Sequence, residues 1–377
     1  MTRRKVLIFY DYFTPAFKAG GPIQSLSNLV KFLSTKYDFF IYTSNKDLDD
    51  TLLQVKHDVW QKHESGAMVY YSSKRRPKLN TIIEVIKPIH PEIIYINGLY
   101  SLANVIWPLF FVKTRSGFNG TVVIAPRGML SSSALAIRKW KKKIYLIMMK
   151  ILLKRSRLLW HATSSEEKKS IEGFLKNPGP IEVAQNIPNI KLYGIEATQM
   201  SRVLQEVRLV TIAVISPMKN IVEILKALHL LDQPIRYDLY GPIKDHRYWK
   251  ECLKLAENLP PNIEFNYKKE LEPHLVEQVL SEYDIYMQPS QSENFGHSIF
   301  EALQAGLPVI TSLNTPWVGL QEFDSGKNVD PIGSSIASAI LELIYDIQDQ
   351  KVFRSKEYVA NYLRHKNYTR LYDRLFS

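Results

Sequence analysis

Glu293 and Glu301 are the two carboxylates in this 377-residue chain whose spacing and surroundings are suited to chemistry. They lie in the stretch QPSQSENFGHSIFEALQAGLPVITSLNTPW, residues 288–317, which reads as strand end, polar loop, helix, tight turn and second strand. Ile299, Phe300 and Leu303, with the small Ala302, Ala305 and Gly306, give the helix an apolar stripe; Gly306 and Pro308 stop it. Glu293 therefore precedes the helix, where it can face a reacting centre. Glu301 lies about one and a half turns in, within reach of a neighbouring part of the same ligand. Between them, Asn294, Phe295 and Gly296 place backbone N–H groups at a helix N-terminus, a natural anion site. A phosphate joined to a polyol fits this loop.

The stretch S-E-N-F-G, then E-A-L-x-A-G-x-P-V-I-T and T-P-W, resembles the E-x7-E signature of the retaining glycosyltransferase family 4. That resemblance implies the GT-B fold: two doubly wound, Rossmann-like parallel-sheet domains facing across a cleft. It also implies that Glu293 contacts the donor sugar near its reacting carbon and that Glu301 holds the ribose hydroxyls of the nucleotide.

The elements that must position these groups alternate along the chain. Apolar strand-like runs at 5–10, 39–43, 68–72, 93–97 and 121–125 are separated by helix-like segments, which argues for a parallel sheet with helices on both faces. After an aperiodic stretch of about fifteen residues beyond Asn189 the alternation restarts, with strands at 207–214, 236–240, 262–267 and 284–288. Two domains are expected, as the length also suggests. The resemblance implies that residues 1–195 form an N-terminal acceptor-binding domain, onto which a C-terminal helix of about 360–377 packs back, and that residues 205–358 form a C-terminal nucleotide-sugar-binding domain.

Further site residues follow from the same resemblance. The loop Lys18-Ala19-Gly20-Gly21-Pro22 after the first strand supplies Gly20 and Gly21 toward the donor diphosphate, with Lys18 beside them. The turn Ser216–Asn220 supplies Lys219 to the same diphosphate. Five residues before that lysine the family usually has a phosphate-binding arginine, and this chain has Val214. Arg127, where many members carry a histidine, offers a guanidinium to a phosphate or sugar oxygen. Tyr267-Lys268-Lys269 flank the base. His161 and Glu167 read as structural, with Ser164 and Glu167 as a capping box. The implied enzyme is a retaining, metal-independent hexosyl transferase that needs no cofactor. Its donor is a nucleotide diphosphate sugar and its acceptor a saccharide, lipid-linked, in cell-surface polysaccharide assembly. No second carboxylate stands as a nucleophile, so a same-face displacement assisted by Glu293 is expected. The rival readings are a sugar-nucleotide-binding protein without turnover and a non-transferring GT-B enzyme of epimerase or phosphorylase type.

Composition narrows the partners. The single cysteine, Cys252, excludes an internal disulfide and fits a reducing compartment. No apolar run reaches the roughly 20 residues of a membrane span. The net charge of +12 is uneven: residues 1–200 carry +16 and residues 201–377 carry −4, with no acidic residue between Glu92 and Glu166. A basic first half points to an anionic partner, and no nucleic-acid recognition motif accompanies it. A helix expected at about 134–157 carries Lys139, Lys143, Lys150, Lys154 and Arg157 on one face and Trp140, Ile144, Ile147, Met148 and Ile151 on another. This amphipathic pattern fits either a core-packed helix with a solvated basic face or a cytoplasmic protein lying peripherally on the inner face of the plasma membrane. Each such cation contributes about 1 kcal/mol near an anionic surface. Reversing the four lysines is expected to abolish sedimentation with anionic vesicles while leaving binding of a soluble nucleotide intact.

Overall fold

The computed structural model describes residues 3–74, 77–114, 118–130, 145–147, 149, 151–152, 158–175, 178–190, 198–199 and 205–376. The chain divides into two compact units, Met1–Ile187 with Asn367–Ser377, and Pro188–Lys366. Lys139, Lys143, Lys150, Lys154 and Arg157, and most of the stretch expected to link domains, lie outside the described residues.

The first unit is built on strands β1 (Arg4–Phe9), β2 (Tyr37–Ser44), β3 (Trp60–Lys62), β4 (Met68–Ser72), β5 (Ile93–Asn97), β6 (Thr121–Ala125), β7 (Leu158–Ala162) and β8 (Ile181–Val183). Their order is β3-β4-β2-β1-β5-β6-β7-β8, parallel throughout except for β3 against β4. Val6, Leu7, Ile8 and Phe9 are all fully buried, as expected of a central strand covered on both faces. Strand order reverses between β1 and β5, the place where ligands bind in open parallel sheets. Helices α1 (Gly21–Leu33), α2 (Leu79–Ile86), α3 (Trp107–Thr114) and α4 (Ser165–Phe174) cover the sheet.

The second unit repeats the plan with β10 (Val207–Ile212), β11 (Ile235–Tyr240), β12 (Ile263–Tyr267), β13 (Ile285–Gln288), β14 (Val309–Ser312) and β15 (Gly326–Val329), after a short β9 (Thr198–Gln199) that pairs with β16 (Val352–Phe353). The sheet order is β12-β11-β10-β13-β14-β15, all parallel, with the reversal between β10 and β13. Its helices are α5 (Ile221–Leu228), α6 (His246–Ala256), α7 (Val276–Leu280), α8 (His297–Ala305), α9 (Gly333–Gln348) and α10 (Ser355–Arg364). A final helix, α11 (Tyr368–Phe376), belongs to the first unit: its Tyr372, Leu375 and Phe376 are buried, and the Phe376 ring packs 5.3 Å from that of Tyr37.

Three details differ from the sequence pattern. β10 stops at Ile212 rather than at Val214: the chain bends at Ala213, whose backbone lies close to Gly241. Among the described helical residues 145–147, 149 and 151–152, Leu146, Met149 and Leu152 are buried, whereas Ile147 and Ile151 are exposed. An almost wholly apolar segment offers two stripes of helical period, and packing selects one. Finally, the helix-like segment between the strands at 93–97 and 121–125 is not one α-helix: a wider turn over Leu102–Ile106 precedes α3.

Gly241 has φ +137°, and a Cβ there would meet the Ala213 carbonyl oxygen at 1.9 Å. Gly173, inside α4, has open space around the same position. Gly241→Ala is therefore expected to lower stability by about 3 kcal/mol or more, and Gly173→Ala to raise it by about 0.5–1 kcal/mol. Urea denaturation of the two variants checks both signs.

Candidate functional site

Adjacent parallel strands bring their C-terminal loops side by side, and β10 pairs with β13 through Val210 and Tyr286. Lys219 follows β10 in the turn Pro217–Lys219, and Glu293 follows β13, so the two meet although 74 residues apart. The Lys219 ammonium donates to Glu293 Oε1. Gln288 Nε2 donates to the same oxygen at 2.8 Å and Ser290 Oγ at 2.7 Å. The Gln288 amide is itself fixed, since Tyr286 Oη (2.6 Å) and Ser298 Oγ (2.8 Å) both donate to its Oε1. Burial raises the Tyr286 phenol well above its ordinary range, which keeps it a donor. Three donors thus converge on Glu293 Oε1, and among the described residues none donates to Oε2.

Asn220 ties this corner together. It sits in the left-handed region (φ +60°), which Asn tolerates better than most residues. Its Nδ2 donates to Pro289 O at 3.1 Å and Pro331 O at 2.9 Å, and its Oδ1 accepts from Gln291 Nε2 at 3.0 Å. One buried amide therefore links the loops after β10, β13 and β15.

Asn294, Phe295 and Gly296 lead into α8, with Gly296 as the residue before its first turn. Gly296 has φ +77°, and a Cβ there would meet Ile299 Cδ1 at 3.0 Å, so a side chain would be strained and would crowd Ile299. Phe295 is buried against Trp317, with ring centroids 5.2 Å apart, and Trp317 Nε1 donates to its carbonyl at 2.5 Å. This fixes the loop so that the N-terminal end of α8 lies beside Glu293. Glu301 is half-buried on the fifth residue of α8.

The other sequence-predicted residues stand in the first unit. Gly20 (φ +73°) precedes α1, and Gly21 is its first residue. The loop before them is held from outside: Asp47 accepts from the backbone N–H of Phe17 (2.9 Å) and Lys18 (3.2 Å), Tyr71 donates to Thr14 O, and Lys18 pairs with Asp49 at 2.6 Å. Arg127, with φ +55°, donates from Nε to Asn97 at 2.6 Å, from Nη2 to Tyr95 Oη at 2.8 Å and from Nη1 to Asn186. Tyr95 in turn faces His161 Nδ1 at 2.7 Å, and His161 Nε2 lies 2.7 Å from Ala184 O. A carbonyl only accepts, so Nε2 carries the proton and Nδ1 accepts from Tyr95. Burial, reinforced by the Arg127 charge, lowers His161 to about 3 and leaves it neutral. Glu167 contributes more than a cap. Ser164 does accept from Glu167 N at 3.1 Å, but the Glu167 carboxylate binds Gly128 N (2.6 Å) and Thr163 instead of closing the box on Ser164.

The sequence-predicted residues therefore form two groups. Lys219, Glu293, Asn294, Phe295, Gly296 and Glu301 gather at the switch point of the second sheet, with Lys219 and Glu293 in contact. Gly20, Gly21 and Arg127 lie at the C-terminal edge of the first sheet. Sequence reasoning passed over Asn220, Gln288 and Ser290. Polar residues at the C-terminal ends of predicted parallel strands were the signal that could have marked them.

Residues 199–318 match the family model described as Glycosyl transferases group 1. Lys219, Glu293 and Glu301 all lie within that match. Comparison with curated proteins gives no match. Among solved structures, sucrose-phosphate synthase from Thermosynechococcus elongatus superposes with a TM-score of 0.68 at 17% identity, covering 99% of each chain. Anabaena HepE in complex with UDP and glucose gives 0.67 at 16%, covering 99% of this chain and 98% of that one. WaaG, a glycosyltransferase involved in lipopolysaccharide biosynthesis, gives 0.61 at 12%, covering 98% of each. At such identities the likeness establishes the fold, which is GT-B. Family match and fold together support a GT-B glycosyltransferase. Among the described residues no helix is long and apolar enough to cross a membrane.

His161 gives this glycosyltransferase fold a pH-dependent weakness. Its imidazole protonates near 6.5 when unfolded but only near 3 when folded. Its contribution to stability is thus complete above about pH 6.5 and falls toward pH 3, by about 1.4 kcal/mol per pH unit. Urea midpoints between pH 7 and 4 should decline in the parent chain and decline less in His161→Gln. Parallel profiles would show that the buried imidazole is not the titrating group.

Proposed function

We propose that the chain is a retaining, metal-independent hexosyl transferase of family 4, moving a sugar from a nucleotide diphosphate sugar to a lipid-linked saccharide in cell-surface polysaccharide assembly. The observation that carries this reading is the Lys219–Glu293 pair, set at the switch point of the second sheet inside the region that matches the family. An ammonium with two further N–H groups beside a helix N-terminus suits a diphosphate. With Val214 in place of a second cation, Lys219 and the loop amides supply most of the leaving-group stabilisation, the electrostatic contribution that usually dominates such catalysis. Glu293, with one oxygen committed to its neighbours, presents the other to the transferring sugar. Glu301 takes the ribose hydroxyls, and Arg127 offers its remaining N–H groups to a sugar or phosphate oxygen. The likeness to HepE, described with UDP and glucose, makes UDP the first nucleotide to test. The likeness to WaaG favours a polysaccharide role, and the basic first half favours attachment to an anionic inner membrane face.

Calorimetry with UDP and turnover with a panel of UDP-sugars test the assignment together. Glu301→Ala is expected to weaken UDP by about 1.5–3 kcal/mol. Glu293→Gln keeps an acceptor oxygen for Lys219, so it should hold UDP within about threefold while turnover falls by roughly a hundredfold or more. Unchanged UDP affinity in folded Glu301→Ala would overturn the ribose role of Glu301. Equal losses of binding and turnover in Glu293→Gln would overturn the sugar-directed role of Glu293.

A further inference from the structure

The switch point of the first sheet carries a polar group that the donor chemistry leaves unused. Asp11 follows β1 by two residues. Since Phe9 pairs with Ile96, it stands level with Gly98 just beyond β5. Its Oδ1 accepts from two groups of the chain that follows β5, Ser101 Oγ at 2.7 Å and Asn104 Nδ2 at 2.5 Å. Ser101 is braced in turn by Tyr145, whose hydroxyl donates to Ser101 O at 2.7 Å and accepts from Ser101 N at 3.1 Å. Oδ2 accepts no hydrogen bond among the described residues, and Asp11 is half-buried rather than sealed.

A second observation concerns Asn104, which is 6% exposed. While its Nδ2 holds Asp11, its own Oδ1 is buried and has no partner among the described residues. Both atoms belong to one planar amide, so the orphan oxygen lies close to the carboxylate. An unsatisfied buried acceptor is costly. Asn104 Oδ1 is closed to solvent, so the acceptor left to a ligand is Asp11 Oδ2, a carboxylate oxygen that repels an anion and calls for an O–H donor. Burial also raises the Asp11 pKa above the ordinary carboxylate range, although the hydrogen bonds from Ser101 and Asn104 oppose this.

We propose that Asp11, with Ser101 and Asn104 fixing it, is a hydroxyl-binding subsite for the neutral sugar of the acceptor. The inference rests on the reading of the chain as a transferase to a saccharide. It adds that this part of the acceptor is recognised through its hydroxyls, and that any acceptor phosphate binds elsewhere. The Asp11 carboxylate then behaves toward an acceptor hydroxyl as a positioned hydrogen-bond acceptor and orients it.

Saturation-transfer NMR on the full chain tests this, using the methyl glycosides of glucose, galactose, mannose and N-acetylglucosamine, with inorganic phosphate as a competitor. Asp11→Asn is the informative variant, because the amide keeps the oxygen that Ser101 and Asn104 hold and replaces the presented one by a donor. At least one glycoside is expected to bind the parent chain, to lose roughly tenfold or more in affinity in Asp11→Asn, and to be indifferent to phosphate. UDP calorimetry on the same samples keeps the two readings apart. Loss of glycoside binding with UDP binding unchanged supports the subsite, whereas a parent chain that binds glycoside but no UDP would sink the transferase reading alone. Absence of glycoside binding in the parent chain, equal binding in a folded Asp11→Asn, or displacement by phosphate would each overturn the proposal.

Discussion

The second unit depends on placing a charged pair where it is mostly shielded from water. Lys219 and Glu293 retain only 19% and 11% of their side-chain exposure. Such a pair is tolerable only when its other hydrogen-bonding capacity is met. That requirement accounts for Gln288 and Ser290 on the same carboxylate oxygen, for Tyr286 and Ser298 behind Gln288, and for Ser312, whose hydroxyl holds the Ser290 carbonyl at 2.5 Å. It also explains the need for Asn220. Three loops from three strands must keep one register at their ends, and a single buried amide in a left-handed conformation links them.

The first unit solves a related problem with a different arrangement. Among the described residues the Arg127 guanidinium makes no hydrogen bond to a carboxylate; it is held by neutral oxygens of Asn97, Tyr95 and Asn186. The polarity runs one way, from guanidinium to phenol to imidazole to carbonyl, and it requires His161 to stay neutral. Glu167 supports the turn from below through the Gly128 N–H. A carboxylate with one oxygen committed and the other presented occurs in both units, at Glu293 and at Asp11. Each stands where strand order reverses, the position from which a loop residue projects beyond the sheet.

Much of this was legible in the sequence because it rests on local periodicity. Continuous apolar runs such as Val6–Phe9 mark doubly covered strands, and Gly306 marks the end of α8, where the structure gives it φ +98°. The spacing of Glu293 and Glu301 placed one before the helix and one within it. What was not legible depends on partners distant in sequence. Nothing near Ala213 announces that the chain bends there, with Gly241 close against its carbonyl. Nothing near Glu167 shows that its carboxylate will choose Gly128, 39 residues earlier, over the adjacent cap. The stretch around Leu146–Leu152 failed for another reason: its apolar residues satisfy two faces equally, and only packing decides between them.

Helix α11 carries a consequence for how the protein is made. The first unit is discontinuous: its sheet is laid down by residues before 188, yet Tyr372 closes over His161 at 5.5 Å and donates to Gln185 O at 3.1 Å. Arg4 at the start of β1 donates to Phe376 O at 2.5 Å. The second unit is contiguous and is synthesised between these two parts. On the ribosome, the unit begun first is therefore the one completed later. Until residues 368–376 emerge, the surface around Tyr37, Tyr95 and His161 lacks its cover. During translation the early-made sheet must wait with an apolar flank open, and its exposure lasts as long as the whole second unit takes to be synthesised.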